Sequence, residues 1–453
     1  MNGPQEILFP RLAKATKTVA EFKTTPRVAA HAESPIGGIG ATEWKHNCSG
    51  IKSVIFQARQ LGPTRQQAFN EDDFRMVSAK LEVGGEELVQ RLKGPWAELC
   101  ERNSSPPFHR PEWIAAYLQA FEPRSEVVLL TASTKDHLVG VLPLVRKRCW
   151  FAGVPVCKLS GTANIHSVRF DALRSRCSAG EAGMKEIWNL LKRTSGWHVL
   201  ELPLIPENAA SEGLLSCARA DGFLTMSIPF HESPILRLQE DHQGQLTWLK
   251  DTSRHFRHEL RRFARLLAKE TGHEPQLIRR TNPEARILKK FYELEAAGWK
   301  GQEGSAIRCA VATQNFYDQI AQQAAAGGYF SLYTLEANGE MIAGAFTVET
   351  KDCLYPLKIA YNEALRRSGP GQLLFNAILA ECARRRIPAL FFGGVKDRYK
   401  GSWTSETIPH YTAIVFSRGF RSQLAHWSRA WVISRLGRFR RRIRAAGKED
   451  GGR

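Results

Sequence analysis

Apolar and polar positions fall into one arrangement that occurs twice along the chain. Pro111–Phe121 has helical spacing, and it is followed by the apolar run Glu126-Val-Val-Leu-Leu-Thr-Ala, a turn at Thr134-Lys-Asp and the run Leu138–Val145. This order predicts helix, strand, turn and strand. About two hundred residues later it returns as a helix over Thr313–Ala326, a strand over Tyr329–Leu335, a turn at Ala337-Asn-Gly-Glu and a strand over Met341–Val348. One supersecondary unit present twice predicts an α/β fold of two similar halves, roughly 95–245 and 246–420.

A further helix is predicted over 253–270, where Phe256, Leu260, Phe263 and Leu267 recur at spacings of four, three and four. Arg254, Arg257, Arg261, Arg262, Arg265 and Lys269 lie off that stripe, either as a face for phosphates or as a solvated surface. Charge is concentrated here and at the end of the chain. The 453 residues carry a net charge of +19, and residues 418–453 hold eleven Lys and Arg against Glu449 and Asp450. With Trp427 and Trp431 upstream of its arginines, the segment 421–453 reads either as a basic amphipathic helix suited to an anionic membrane surface or as a solvated terminus.

A chain 43% hydrophobic and 24% charged is of globular composition. No stretch reaches the roughly 18 uninterrupted apolar residues of a membrane span, so the expected location is cytoplasmic, with peripheral membrane contact through the tail. Nine scattered cysteines without a C-x-x-C pair fit reduced thiols, mostly in cores, rather than a disulfide framework or a zinc cluster. Residues 1–75 lack sustained periodicity and read as a poorly ordered extension, and Gly37, Gly38 and Gly40 match a phosphate loop only weakly. A Gly-x-Ser-x-Gly elbow and a His-Glu-x-x-His helix are both missing, which argues against serine- and zinc-hydrolase chemistry.

The region richest in chemistry follows the second unit. A strand over Asp352–Tyr361 leads to Arg366-Arg-Ser-Gly-Pro-Gly-Gln372 and then to a helix over Leu373–Arg384. A strand that delivers a glycine-bearing loop to a helix start makes an anion site, because free N–H groups and the positive dipole end converge there. Pro370 has no N–H, so the donors expected are those of Gly371, Gln372 and Leu373. An ordinary helix cap is the competing reading.

Arg366-x-x-Gly369-x-Gly371 resembles the pyrophosphate-binding motif of the GNAT acyltransferase superfamily. Together with Glu295-Ala-Ala-Gly-Trp-Lys-Gly301, Lys358-x-x-Tyr361, and Phe392-Gly-Gly-Val-Lys-Asp-Arg-Tyr-Lys-x-x-Trp403, it resembles the CelD/FemAB-like acetyltransferases over about residues 95–420. These proteins often serve bacterial exopolysaccharide or envelope biosynthesis. The resemblance implies two tandem GNAT-like mixed-sheet halves with flanking helices. It further implies acetyl-CoA or another acyl-CoA as co-substrate, with no tightly bound cofactor and no metal, and a small-molecule or glycan acceptor between the halves.

On that resemblance, Lys358, Arg366, Arg367, Ser368, Gly369, Gly371 and Gln372 are the expected donor-binding residues. Acyl transfer from a thioester needs a base, donors for the oxyanion and an acid for the thiolate. Glu295 and Asp397 are the candidate bases, Tyr361 and Tyr399 the candidate acids, and Lys300 and Lys400 candidates for substrate charge or oxyanion. Trp299 and Trp403 are candidates for stacking on a sugar or adenine. Each has a structural alternative: helix or turn carboxylate, core aromatic, surface lysine. Two other functions stand beside acyl-CoA-dependent N- or O-acetylation. One is FemAB-like aminoacyl transfer from tRNA, which the arginines of 254–265 suit. The other is a non-catalytic protein that binds anionic surfaces.

Overall fold

Period-two stretches become the strands of one large sheet, and the 3.6-period stretches become helices on it. The computed structural model describes residues 77–241, 243–248 and 252–432. The expected extension 1–75, its glycines and residues 433–453 of the expected tail lie outside the described residues.

The chain runs β1 (Ser78–Gly84), α1 (Glu87–Arg91), α2 (Lys93–Arg102), α3 (Pro111–Phe121), β2 (Glu126–Ser133), β3 (Leu138–Phe151), β4 (Val154–Gly161), β5 (Leu173–Arg174), α4 (Ser178–Arg193), β6 (Val199–Pro206), α5 (Ser211–Ala220) and β7 (Leu224–Arg237). It continues through β8 (Gln239–Glu240), β9 (Leu246–Thr247), α6 (Arg254–Thr271), β10 (Gln276–Arg280), α7 (Ala285–Ala297), α8 (Trp299–Gln302) and α9 (Val311–Ala326). The last part holds β11 (Phe330–Ala337), β12 (Glu340–Glu349), β13 (Leu354–Tyr361), α10 (Pro370–Arg384), β14 (Ala389–Phe391), α11 (Arg398–Gly401) and β15 (Thr407–Phe416). Residues 420–432 are helical.

The repeated unit is visible in the pairing. β1, β2, β3 and β4 are antiparallel neighbours, and β6 lies parallel to β4 after a crossover through α4. At the far end β10, β11, β12 and β13 are antiparallel neighbours, and β14 lies parallel to β13 after a crossover through α10. Both crossovers bury one helix face on the sheet, as a parallel connection requires.

Between these ends the strand order is β6-β15-β7-β14. β15, last in the chain, enters between β6 and β7. β7 is shared lengthwise: Leu224–Pro234 pair with β15, and Ile235–Arg237 pair with β14. The sheet is therefore continuous and the two ends are interlocked by exchange of strands.

The helices that open the two units also meet. Trp113 on α3 packs edge-on against Phe316 on α9 at 5.2 Å between ring centroids, and Phe121 reaches the same ring. Glu112 at the start of α3 accepts a 2.9 Å hydrogen bond from the Tyr329 hydroxyl next to β11. One core thus spans residues of both units. On the opposite face α6 lays Phe256, Leu260 and Leu267 into a core with α10, three of the four residues of the stripe read from its spacing, while Phe263 is only partly buried. Ser253 caps α6, its side chain accepting from the Phe256 amide at 3.1 Å. The described cysteines are free thiols; Cys100, Cys353 and Cys382 are buried and Cys309 is exposed.

Candidate functional site

The site grows out of a break in the sheet. β13 pairs with β14 at a single register, Leu354 with Leu390, so the later residues of β13 lose that neighbour while β12 still holds their other edge. The start of α10 occupies this region. Gly369 stands before the helix in the left-handed conformation, at φ 59° and ψ 44°, and Pro370 takes the first helical position, where its missing N–H costs nothing. The Leu373 amide donates to the Gly369 carbonyl at 3.1 Å, so this expected ligand donor is used by the helix itself. The amides of Gly371 and Gln372 donate to no group among the described residues, which leaves two converging N–H groups at the positive end of a 15-residue helix.

These donors open into a cavity of about 420 Å³ lined by Phe263, Tyr361, Arg366, Gly371, Gln372 and Tyr399 among others. The absence of a side chain at residue 371 matters, because a Cβ there would stand 3.0 Å from the Tyr399 hydroxyl and 3.5 Å from the Tyr361 ring. The Tyr399 hydroxyl is buried with no hydrogen-bond partner among the described residues. Burial holds its pKa well above the ordinary tyrosine value, so it stays protonated. Burial, with Glu363 adding repulsion, likewise raises Tyr361.

Other expected donor-site residues are arranged differently. Arg366 and Arg367 are both exposed, and of the two Arg366 lines the cavity. Ser368 is fully buried and its hydroxyl donates to the Leu365 carbonyl at 2.7 Å, inside its own turn. Gln372 accepts a 2.6 Å hydrogen bond from the Trp403 indole, and Trp403 is only 2% exposed, packed on Phe256 at 4.9 Å.

Lys358 belongs to a second cluster, centred on Glu295 at 2% exposure. Lys300 and Lys358 approach the same oxygen, Glu295 Oε1, at 3.3 and 3.4 Å, and the Ile307 amide donates to Oε2 at 2.8 Å. Lys300 also donates to the Ile359 carbonyl at 2.7 Å, tying α8 to β13. Burial, with repulsion from Lys358 and Lys400, pushes the Lys300 amine below the ordinary lysine pKa against the pull of Glu295. Trp299 is half exposed beside it, with the Lys300 ammonium 5.9 Å from its ring centre.

The loop after β14 forms the third group. Lys400 donates to the carbonyls of Gly393 and Val395 at 2.8 and 3.0 Å, and burial lowers its pKa despite Asp397. Asp397 is largely exposed and caps α11, accepting from the Lys400 amide at 2.8 Å. Sequence reasoning missed Ile307, the amide that grips Glu295, and Phe263, whose ring lies 2.7 Å from where a Gly369 Cβ would stand. The apolar stripe of α6 marks Phe263; nothing in the sequence marks Ile307. No group of three His, Cys, Asp or Glu gathers into a metal site among the described residues.

Residues 254–401 match the family model described as acetyltransferase (GNAT) domain. Among solved structures, FemX is similar over 77% of this chain and 100% of its own, at a TM-score of 0.51 and 11% identity. The C-terminal domain of a putative lysylphosphatidylglycerol synthetase from Agrobacterium fabrum covers 74% of this chain and 96% of its own, at TM-score 0.44 and 13% identity. A tandem GNAT protein from the clavulanic acid biosynthesis pathway covers 75% and 98%, at TM-score 0.39 and 14% identity. No curated protein matches the chain in sequence. The chain shares the fold of FemX, and the segment that matches the GNAT acetyltransferase domain model, residues 254–401, contributes Glu295, Lys300 and Lys358 and all the named lining residues of the α10 cavity.

Proposed function

We propose that the protein transfers an acyl group, acetyl first, from acyl-CoA to an amine or hydroxyl of a sugar or glycan precursor, in the manner of the CelD/FemAB-like proteins its motifs resemble. The observation that carries this reading is the pair of free amides at Gly371 and Gln372 opening into the cavity beside Arg366. A pyrophosphate accepts hydrogen bonds from such amides and gains from the helix dipole. Lys358, held by Glu295 and Ser305, acts here on the second cluster rather than on the phosphates.

In the reaction the acceptor nitrogen or oxygen forms a bond to the thioester carbonyl carbon, its proton passes to a base, and the carbon–sulfur bond breaks. Tyr399 is the acid of this reading, since its proton is retained at neutral pH and no group among the described residues competes for it. Lys400, held beside the cavity residue Tyr399 by the Gly393 and Val395 carbonyls and lowered in pKa by burial despite Asp397, is assigned the base in this reading. Glu295 acts as counter-ion, fixing Lys300 and Lys358 through one shared oxygen. A cytoplasmic location belongs to the same proposal; no helix among the described residues is long and apolar enough to cross a membrane.

Aminoacyl transfer from tRNA is a second reading, favoured by the exposed Arg254, Arg261, Arg262, Arg265 and Lys269 on α6, whose Phe256 and Phe263 line the cavity. Release of free thiol from acetyl-CoA, measured with an acceptor panel before and after ribonuclease treatment, separates the two. Thiol release that survives the nuclease supports the acyl-CoA reading. Turnover that depends on intact aminoacyl-tRNA and ignores acetyl-CoA overturns it.

A further inference from the structure

The 420–432 helix presents a face that the site does not use. Phe420, Leu424, Trp427 and Trp431 are 80%, 46%, 67% and 55% exposed. Their spacings of four, three and four place them within about 60° of arc on an α-helix. The opposite face is anchored: Ser422 and Ala425 are fully buried, His426 packs edge-on against Phe416 at 5.1 Å, Ser428 donates to the Ala152 carbonyl, and the Arg429 guanidinium lies over the Phe151 ring. The aromatic stripe therefore cannot turn inward without unseating the helix from β3 and β15. A contiguous apolar stripe of this kind marks an interaction surface.

Its electrostatic setting says which partner fits. From Thr407 to Lys448 the sequence has ten Lys and Arg and no Asp or Glu. Just before the helix, Arg418 joins Lys192 and Arg193 around a cavity of about 440 Å³ in which Asp221 is the lining carboxylate. In the sequence, the 21 residues after 432 include Arg435, Arg438, Arg440, Arg441, Arg442 and Arg444. Tryptophan at the water–lipid boundary beside several cations is the chemistry of a surface-lying helix on anionic phospholipid.

We propose that this stripe, with the basic residues that flank it, docks the protein on bilayers rich in anionic phospholipid. The inference is independent of the acyl donor, because none of these residues lines the α10 cavity.

Co-sedimentation of the full chain with phosphatidylcholine vesicles, and with vesicles also containing phosphatidylglycerol, tests it at low and high salt. Wild type is expected to bind the anionic vesicles and not the neutral ones. The double variant Leu424→Ser/Trp427→Ser is expected to lose roughly tenfold in partitioning, with an unchanged melting temperature because both side chains are exposed. Removal of residues 433–453 is expected to abolish the salt-sensitive part. No binding to anionic vesicles overturns the proposal, as does a serine variant that binds like wild type. It is also overturned if vesicles are ignored and the serine variant instead turns a dimer into a monomer, or if the stripe contributes to RNA binding alone.

Discussion

The Tyr399 hydroxyl lies 3.0 Å from where a Cβ of residue 371 would stand, so any residue larger than glycine at that position crowds it. Tyrosine hydroxyls buried in this way normally find an acceptor. This one has none among the described residues, so its partner in the proposed function is the bound substrate.

That arrangement separates stability from turnover. Replacing an unsatisfied buried hydroxyl by hydrogen removes a desolvation cost of about 1 kcal/mol or more. Tyr399→Phe is therefore expected to be at least as stable as wild type in urea denaturation, while thiol release from acetyl-CoA falls roughly a hundredfold through loss of a general acid. Unchanged turnover would remove Tyr399 from the chemistry.

Glu295 stands between two ammonium groups with its own side chain fully buried. Glu295→Gln leaves Lys300 and Lys358 facing each other without a counter-charge and is expected to cost about 3 kcal/mol of stability, read by chemical denaturation. The double variant Glu295→Gln/Lys358→Met removes one of the repelling charges and is expected to recover part of that loss together with part of the turnover. If Glu295 is instead the base, stability can return in the double variant but turnover cannot.

The repeated unit is legible because both copies keep clean periods: α3, β2 and β3 in the first, α9, β11 and β12 in the second. β7 is not legible. Pro229 and Pro234 interrupt its pattern, and its partners β14 and β15 come from far along the chain, so no local spacing announces the exchange of strands. At the site, Gly369, Gly371 and Tyr399 are found through a motif whose parts are close in sequence. The pairing of Glu295 with Lys358 is invisible there, since only the fold brings α7 to β13. Trp299 and Trp403 read alike in the sequence, yet one is half exposed and the other is bonded to Gln372 in the core.

Two buried histidines, His109 and His410, and the partly buried His166 give the fold a defined acid sensitivity. Burial pushes His109 down to about 3 and His166 and His410 to about 4, from an ordinary 6.5. All three are neutral in the fold at pH values where the unfolded chain binds the proton. Their contribution is intact above about pH 6.5 and is lost as the pH falls toward 4. Urea midpoints measured from pH 7 to 4.5 are expected to decline, and His166→Gln is expected to flatten the decline. An unaltered slope in that variant would place the acid sensitivity elsewhere.

Lys400 should be visible in the rate profile. With its amine below the ordinary lysine value, the acetyl-transfer rate is expected to rise with pH along a limb whose midpoint lies below 10.5. Lys400→Met is expected to remove that limb; a variant that keeps it would assign the base to another group.

In the proposed function the start of α10 holds the pyrophosphate of an acyl-CoA. Calorimetric titration of the full chain with acetyl-CoA, compared with Gly371→Val, is the decisive measurement. Binding by wild type is expected, with a loss of at least roughly tenfold in the variant, whose side chain would fill the space below Tyr399, and with circular dichroism unchanged. Equal affinity in the two proteins, or no binding by a folded wild type, would contradict it.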